Sequence, residues 1–289
     1  MQQRRQAAEP QHHERERTEQ RQQPQPQRPA AIHGPIAVIR LRWMPALHAK
    51  PRYCAPIARL TYPMTRTIAV SGASGKTGFR IAEELLRVGD QPRLLLRPDS
   101  VVPASLAQCE QHRLQLSDRV ALDAALTGCD GLVIATGARP SVDLTGPMRV
   151  DAWGVQHQVE SCERLGIRRV VLVSSLCAGR WRHPLNLFGL ILVWKRIGEQ
   201  SLERSGLDWT VIRPGGLSER ETELDQEGIR YSNADQQESD SIPRRLVARC
   251  CVEALNTPAS IGRILEVTSS TELQPISLAS ALETLPQVA

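Results

Sequence analysis

The stretch Ser71-Gly72-Ala73-Ser74-Gly75-Lys76-Thr77-Gly78 constrains this chain more than any other. Before it, Arg66-Thr67-Ile68-Ala69-Val70 reads as a short buried strand. After it, Phe79 to Val88 places Ile81, Ala82, Leu85, Leu86 and Val88 mostly on one helical face. A strand that turns through glycines into a helix lets the backbone approach a dinucleotide pyrophosphate, and the helix start offers unpaired amides and a positive dipole end. The spacing is G-x-x-G-x-x-G rather than G-x-G-x-x-G. A positive φ is expected at Gly75, where a side chain would obstruct the phosphates. Gly75-Lys76-Thr77 also ends a Walker A loop, but that loop needs glycine at position 70, which is Val.

The chain beyond the turn alternates strands and helices. Gly89-Asp90 ends the first helix, and Pro92 to Arg97 forms a second strand. Where an NAD site places an acid to hold the ribose, this strand ends in Arg97, which suits a 2′-phosphate. His112 to Leu116 is a third strand, and Ser117 or Asp118 caps a helix from Val120 to Leu126. Leu132-Val133-Ile134-Ala135 has the continuous apolar character of a strand buried on both faces, and Thr136-Gly137 follow it. A helix is expected over Val150 to Leu165, ended by Gly166, and a fifth strand over Arg169 to Val173, with Ser174-Ser175 at its end. Leu187 to Glu203 reads as one helix, and Trp209 to Ile212 as a sixth strand running into Arg213-Pro214-Gly215-Gly216. A strand near Ile229 to Tyr231, a helix from Ile242 to Leu255, a strand from Ile264 to Val267 and a helix from Ile276 to Leu285 complete the order. This predicts an α/β fold, a Rossmann-like doubly wound parallel sheet with helices on both faces.

Composition limits the partners. The chain has 289 residues and a net charge of +5, but residues 1–63 hold 11 of the 36 basic residues against 4 of the 31 acidic ones. The rest carries 25 basic against 27 acidic residues, so nothing in it points to nucleic acid. Residues 1–31 are too polar to bury a core, which predicts disorder. Residues 32–63 repeat Pro and Arg, and residues 1–63 contain no Ser, unlike a transit peptide. Two readings of residues 1–63 stand side by side: translation that starts at Met64, or a functional tail. Residues 64–289 are expected to form a single NAD(P)-binding domain with a small C-terminal substrate region. Seven scattered Cys without metal spacing predict a reducing, cytoplasmic setting and no metal site. The longest apolar run, Leu187 to Trp194, is too short to span a bilayer, which needs about 20 residues. It exceeds what one sheet face needs, so a second subunit in a homodimer and a peripheral membrane surface are the candidate contacts.

Four segments together carry a family resemblance. Gly-Ala-Ser-Gly-Lys-Thr-Gly at 72–78, Arg97 after the second strand, Val-Leu-Val-Ser-Ser at 171–175 and Asp-Trp-Thr-Val-Ile-Arg-Pro-Gly-Gly at 208–216 resemble the atypical short-chain dehydrogenase/reductases. Within these the chain looks most like the NAD(P)H-binding group that includes the chloroplast Tic62 protein and its cyanobacterial relatives. The resemblance implies NADP(H) as cofactor. It implies that Gly72, Gly75 and Gly78 form the pyrophosphate turn, and that Ser74, Lys76, Thr77 and Arg97 surround the adenosine phosphates. Leu116 would border the adenine, although Gln115 stands where the family has Asp. Ala135, Thr136 and Gly137 would line the ribose, and Pro214, Gly215, Gly216 and Leu217 would follow the nicotinamide. It also implies the plastid stroma or thylakoid periphery as an alternative location.

One departure limits what carries over. The superfamily pairs a Ser with Tyr-x-x-x-Lys. Here Ser175, or its neighbour Ser174, supplies the Ser and Lys195 the Lys, but Ile191 stands where Tyr is needed. Isoleucine cannot exchange a proton. Tyr231 is the one other tyrosine in the second half of the chain. Lys195 is read as the ribose-binding cation, set at an exposed helix edge where its loss would spare folding. Lys195 and Ile191 are expected to share a helix face toward the nicotinamide. Trp181, Phe188 and Trp194 are candidate walls of a substrate pocket. Two functions follow: an NADPH-dependent reductase of a conjugated or flavin-like acceptor, or a non-catalytic NADPH-sensing or assembly protein that binds a partner through the same fold.

Overall fold

In a computed structural model, residues 65–138, 144–187 and 189–286 are described; the expectations for residues 1–63 and for Phe188 lie outside them. The glycine turn joins β1 (Thr67–Ser71) to α1 (Gly78–Arg87) as the sequence predicts. β2 (Gln91–Leu96), β3 (Glu110–Arg113), α2 (Arg119–Leu126) and β4 (Gly131–Ile134) follow. Asp118 is the cap of α2, accepting a hydrogen bond from Ala121 N at 3.0 Å. α3 (Gly154–Leu165) ends at Gly166 in the left-handed conformation, and β5 (Arg169–Val173) follows. Next come α4 (Ile191–Glu203), β6 (Asp208–Pro214), β7 (Gly216–Ser218) and β8 (Gly228–Asn233). β9 (Ser241–Pro243), α5 (Arg244–Asn256), β10 (Arg263–Ser270) and α6 (Leu278–Thr284) complete the described chain.

Eight strands form one sheet in the order β3-β2-β1-β4-β5-β6-β10-β8, parallel throughout except where β8 runs antiparallel to β10. Residues alternate across it, because a strand's side chains point to opposite faces. Val70, Val133, Val171 and Ile212 pack with α1 and α5 on one side, through Ile81, Leu85, Leu246 and Cys250. Ala69, Leu132, Val170 and Val211 pack with α2 and α3 on the other, through Leu122, Val155 and Val159. Both faces are therefore covered, the arrangement that continuous apolar strands require. The strand order reverses between β1 and β4, so a crevice opens there beyond the carboxyl ends of the strands.

Two helices differ from expectation. Residues 148–153 form a π-helical turn rather than part of α3. Gly198 of α4 explains it in part: a Cβ there would lie 2.2 Å from the Asp151 carbonyl oxygen, so the two segments are in backbone contact. The second helix starts at Ile191, four residues later than predicted. Gly189 and Leu190 take positive φ values of 79° and 57°, which an α-helix cannot continue through. Asn186, in a short 3₁₀ turn over Pro184–Leu187, accepts from Leu192 N at 3.0 Å and so satisfies an amide at the start of α4. β7 and β9, which pair in parallel as a separate two-stranded sheet, are too short to leave a sequence pattern.

Candidate functional site

The glycine turn is shaped by contact with its neighbours. Gly72 has φ +80°, and a Cβ on it would lie 2.8 Å from the Ala135 carbonyl oxygen; a Cβ on Gly78 would lie 2.2 Å from that of Gly72. Only glycine fits these two positions. The positive φ expected at Gly75 is found at Gly72 instead, because the sharp reversal falls directly after β1. Gly75 N bonds Gly72 O at 2.8 Å, and a Cβ on Gly75 would meet that oxygen at 3.1 Å. Thr77 is the residue before α1, and no side chain caps that helix.

Arg97 sits one residue beyond β2, exposed and with no partner for its guanidinium among the described residues. The loop that carries it is fixed. Ser74 Oγ donates to Ser100 Oγ at 3.1 Å, and Arg113 Nη1 donates to the Pro98 and Ser100 carbonyls, each at 2.8 Å. Arg113 is a positioning residue that sequence reasoning missed. Leu116, half-buried past β3, packs where a Cβ on Gly154 would touch it at 3.2 Å, and its carbonyl bonds His157 Nδ1 at 3.0 Å.

Lys76 is not free beside the turn. Its ammonium lies 2.9 Å from Glu219 Oε1, and Arg244 Nε donates to the same oxygen at 3.0 Å. The Lys76 hydrogen bond, helped by Arg244, holds the Glu219 carboxyl below its usual range against the opposing effect of burial. Arg244 Nη1 also donates to Thr77 Oγ1 at 2.9 Å.

A second cluster lies past the ends of β4 and β5. Lys195 Nζ is 2.8 Å from Asp151 Oδ1, and Asp151 Oδ2 accepts from Ala138 N at 3.1 Å. Lys195 is 14% exposed and Asp151 2%, so the expected edge charge is instead half of a largely buried ion pair. A cavity of about 10 Å³ is lined by Thr136, Asp151, Ser174 and Lys195, with Val155, Leu172 and Val173. Ser174, not Ser175, is therefore the serine beside Lys195, since alternate residues leaving a strand point to opposite sides. Gly137 borders the pair: a Cβ on it would be 3.8 Å from Asp151 and 3.9 Å from Lys195. Ile191 is one turn before Lys195 but packs with Leu176, Cys177 and Leu192, and is not part of the cavity lining. Tyr231 is no substitute for the missing phenol. It lies in the core below α5, its hydroxyl 3.5 Å from Cys250 Sγ, and burial pushes its pKa above the ordinary value.

Pro214 and Gly215 carry the chain from β6 across this edge. Pro214 O accepts from Leu176 N at 2.9 Å, and a Cβ on Gly215 would lie 2.5 Å from Asp240 O. Gly216 opens β7, and Leu217 is exposed. Beneath them Arg213, 1% exposed, donates from Nε and Nη2 to the fully buried Glu199 at 2.9 and 2.8 Å. Burial opposes the Arg213 charge, but Glu199, with Asp235 and Glu266, more than offsets it and raises its pKa. Glu266 in turn accepts from the amides of Asp235, Gln236 and Gln237 at 2.9, 3.0 and 2.7 Å. Trp181 is 70% exposed, outside the cavity.

The crevice suits a dinucleotide. The hydroxyls of Ser71, Thr136 and Ser174, at the ends of β1, β4 and β5, are buried and lack hydrogen-bond partners in the described structure. Such orphans are rare, and three of them fall at the sheet edge where the strand order reverses.

A family model described as NAD(P)H-binding matches residues 72–258. A chloroplastic protein of Arabidopsis thaliana is 31% identical over 72% of this chain and 78% of its own length. Protein TIC 62 of the same plant, chloroplastic, is 28% identical over 76% of this chain but only 38% of its own length. Sanguinarine reductase of Eschscholzia californica is 28% identical over 71% of this chain and 90% of its own length. A solved structure from Bacillus halodurans, described as an NAD-dependent epimerase/dehydratase, has a TM-score of 0.67 at 27% identity, covering 76% of this chain and 100% of that one.

Proposed function

Because the chain belongs to the NAD(P)H-binding family of Rossmann-like, reductase-related proteins, we propose that it is an NADPH-dependent reductase of a conjugated or flavin-like acceptor. The observation that carries this reading is the cavity where Lys195, Asp151, Ser174 and Thr136 meet without a phenol. NADPH supplies a hydride. A cationic acceptor is neutralised by the hydride alone, and a conjugated neutral acceptor would become an anion that takes its proton from water. Neither needs a phenol, whereas an alcohol must lose a proton to a base as hydride leaves. The glycine turn would hold the pyrophosphate, Arg97 the 2′-phosphate, and Lys195 the nicotinamide ribose. Asp151 fixes the Lys195 ammonium at the cavity that Thr136 and Ser174 also line.

The test is NADPH oxidation by the purified protein against quinones, flavins, enones and iminium compounds. Turnover of at least one class supports the reading; turnover of none, with NADPH bound, overturns it. Oxidation of plain secondary alcohols with NADP⁺ is expected to be undetectable. Robust alcohol oxidation would falsify the assignment, because another residue would then be acting as base.

Cofactor choice gives a separate expectation. Arg97 contacts to the 2′-phosphate favour NADPH over NADH by about 1.5–3 kcal/mol, the strength of charge-assisted hydrogen bonds. Arg97→Ala should remove most of that preference in a fluorescence titration. Equal binding of the two cofactors by the unaltered protein would refute it.

A second reading, an NADPH-sensing or assembly protein, draws on a different observation. Trp181, Leu185, Leu187 and Leu190 form an exposed apolar stretch just before α4, the helix that carries Lys195. No helix among the described residues is long and apolar enough to cross a membrane. That surface suits a partner protein or a second copy. Tight NADPH binding, no turnover and a change in self-association on binding would favour it.

A further inference from the structure

The loop after β7 clasps the glycine turn through one carboxylate. Glu219 faces Lys76 at 2.9 Å, Arg244 at 3.0 Å and Arg80 at 3.4 Å. These cations come from the turn, from the start of α5 and from the first turn of α1. Their other partners differ. Arg80 also pairs with Glu221, and Arg245 pairs with Glu221 and Glu83. Lys76 and Arg244 have Glu219 as their sole acidic partner among the described residues. Lys76 is 68% exposed and Glu219 48%, so their contact is screened by water and exchanges easily. Arg244 also reaches Thr77 at the head of α1, where an anion is favoured. Two cations at an anion-binding turn thus share a single exposed counter-charge.

We propose that Arg244 is a ligand of the cofactor pyrophosphate, and that Glu219 is an internal competitor that occupies Lys76 and Arg244 until the cofactor displaces it. The inference rests on the family's cofactor and not on which acceptor is reduced. Its chemistry is a swap of one anion for another. The carboxylate leaves to water, the pyrophosphate takes both cations, and Arg80 keeps Glu221. Because the pyrophosphate is common to NADPH and NADH, the competition is blind to the 2′-phosphate. It therefore separates from the role of Arg97, which reads that phosphate.

The experiment is direct binding of NADPH and of NADH, by fluorescence titration, to the unaltered protein and to Glu219→Gln, Arg244→Gln and the double variant, with melting temperatures recorded for each. Glu219→Gln should tighten both cofactors about 3- to 10-fold, the scale of an exposed ion pair released. Arg244→Gln should weaken both by about tenfold or more, as loss of a charge-assisted contact. The double variant should keep little of the gain. Unchanged or weaker binding by Glu219→Gln, with its melting temperature preserved, overturns the proposal. An effect confined to NADPH also overturns it, since the carboxylate would then compete with the 2′-phosphate. Equal NADPH and NADH affinities in the unaltered protein would refute the Arg97 reading and leave this one standing. Glu219 is half exposed, so its variant decides the matter even where Arg244→Gln does not fold.

Discussion

Glu199→Ala should cost about 3–5 kcal/mol of folding stability, the usual result of stripping one partner from a buried ion pair. For a folded unit of this size that corresponds to a melting temperature lower by roughly 10 °C. The reason lies in what the substitution leaves behind. Arg213 is 1% exposed and donates two parallel hydrogen bonds to Glu199. Burial already disfavours its charge, and Glu199 is the strongest of the groups that offset this. Two other carboxylates are near, but neither replaces Glu199. Asp235 is 3.1 Å away with a side chain 64% exposed, and Glu266 is 3.6 Å away with its oxygens taken by three backbone amides. Glu199→Gln keeps an acceptor and should cost less. Replacing both partners at once, Glu199→Leu with Arg213→Met, should recover much of the loss, because no charge is left buried. Urea denaturation midpoints measure all three. If Glu199→Ala loses less than about 1 kcal/mol, Arg213 has been rehoused by Asp235 and Glu266, and the ranking above is wrong.

The same network shows which parts of the site could be read in the sequence. The glycine turn, the place of Arg97 just past β2 and the apolar strands were legible because each depends on residues close in the chain: a turn's geometry, a strand's end, an unbroken apolar run. Lys195 was legible only by its offset from a vacant tyrosine position, and its environment was not. Asp151 lies 44 residues earlier, in a segment whose 3.6-residue pattern gave no hint of a π-helical turn. That turn lies in backbone contact with Gly198, an interaction between two segments rather than within one. The start of α4 was misplaced for a similar reason. Leu187 to Trp194 is apolar throughout, so periodicity could not reveal the left-handed Gly189-Leu190 step. Arg244 and Glu219 were invisible as a pair, since their contact depends on β7 and β9 meeting in a sheet three residues long on each side.

Breaking the Asp151–Lys195 pair should have large effects on both folding and cofactor binding, and the two can be separated. Lys195→Met leaves the Asp151 carboxylate, 2% exposed, with the hydrogen bond from the Ala138 amide but without the Lys195 ammonium, so stability should fall by about 2–4 kcal/mol. This reverses the expectation of little effect that an exposed edge charge would justify. Asp151→Asn keeps the shape and an acceptor for Ala138, and should cost about half as much. For NADPH the order should be the same. Lys195→Met removes the cation proposed to hold the ribose and should weaken binding by about tenfold, while Asp151→Asn leaves the ammonium in place, less firmly aimed, and should weaken it about threefold. The double variant Asp151→Asn/Lys195→Met isolates the pair. Its stability should exceed the additive value by about 1–3 kcal/mol, since the second change removes the charge that the first left unpaired. Additive losses would show that the two side chains act independently, and that the 2.8 Å contact neither holds the lysine nor organises the cavity.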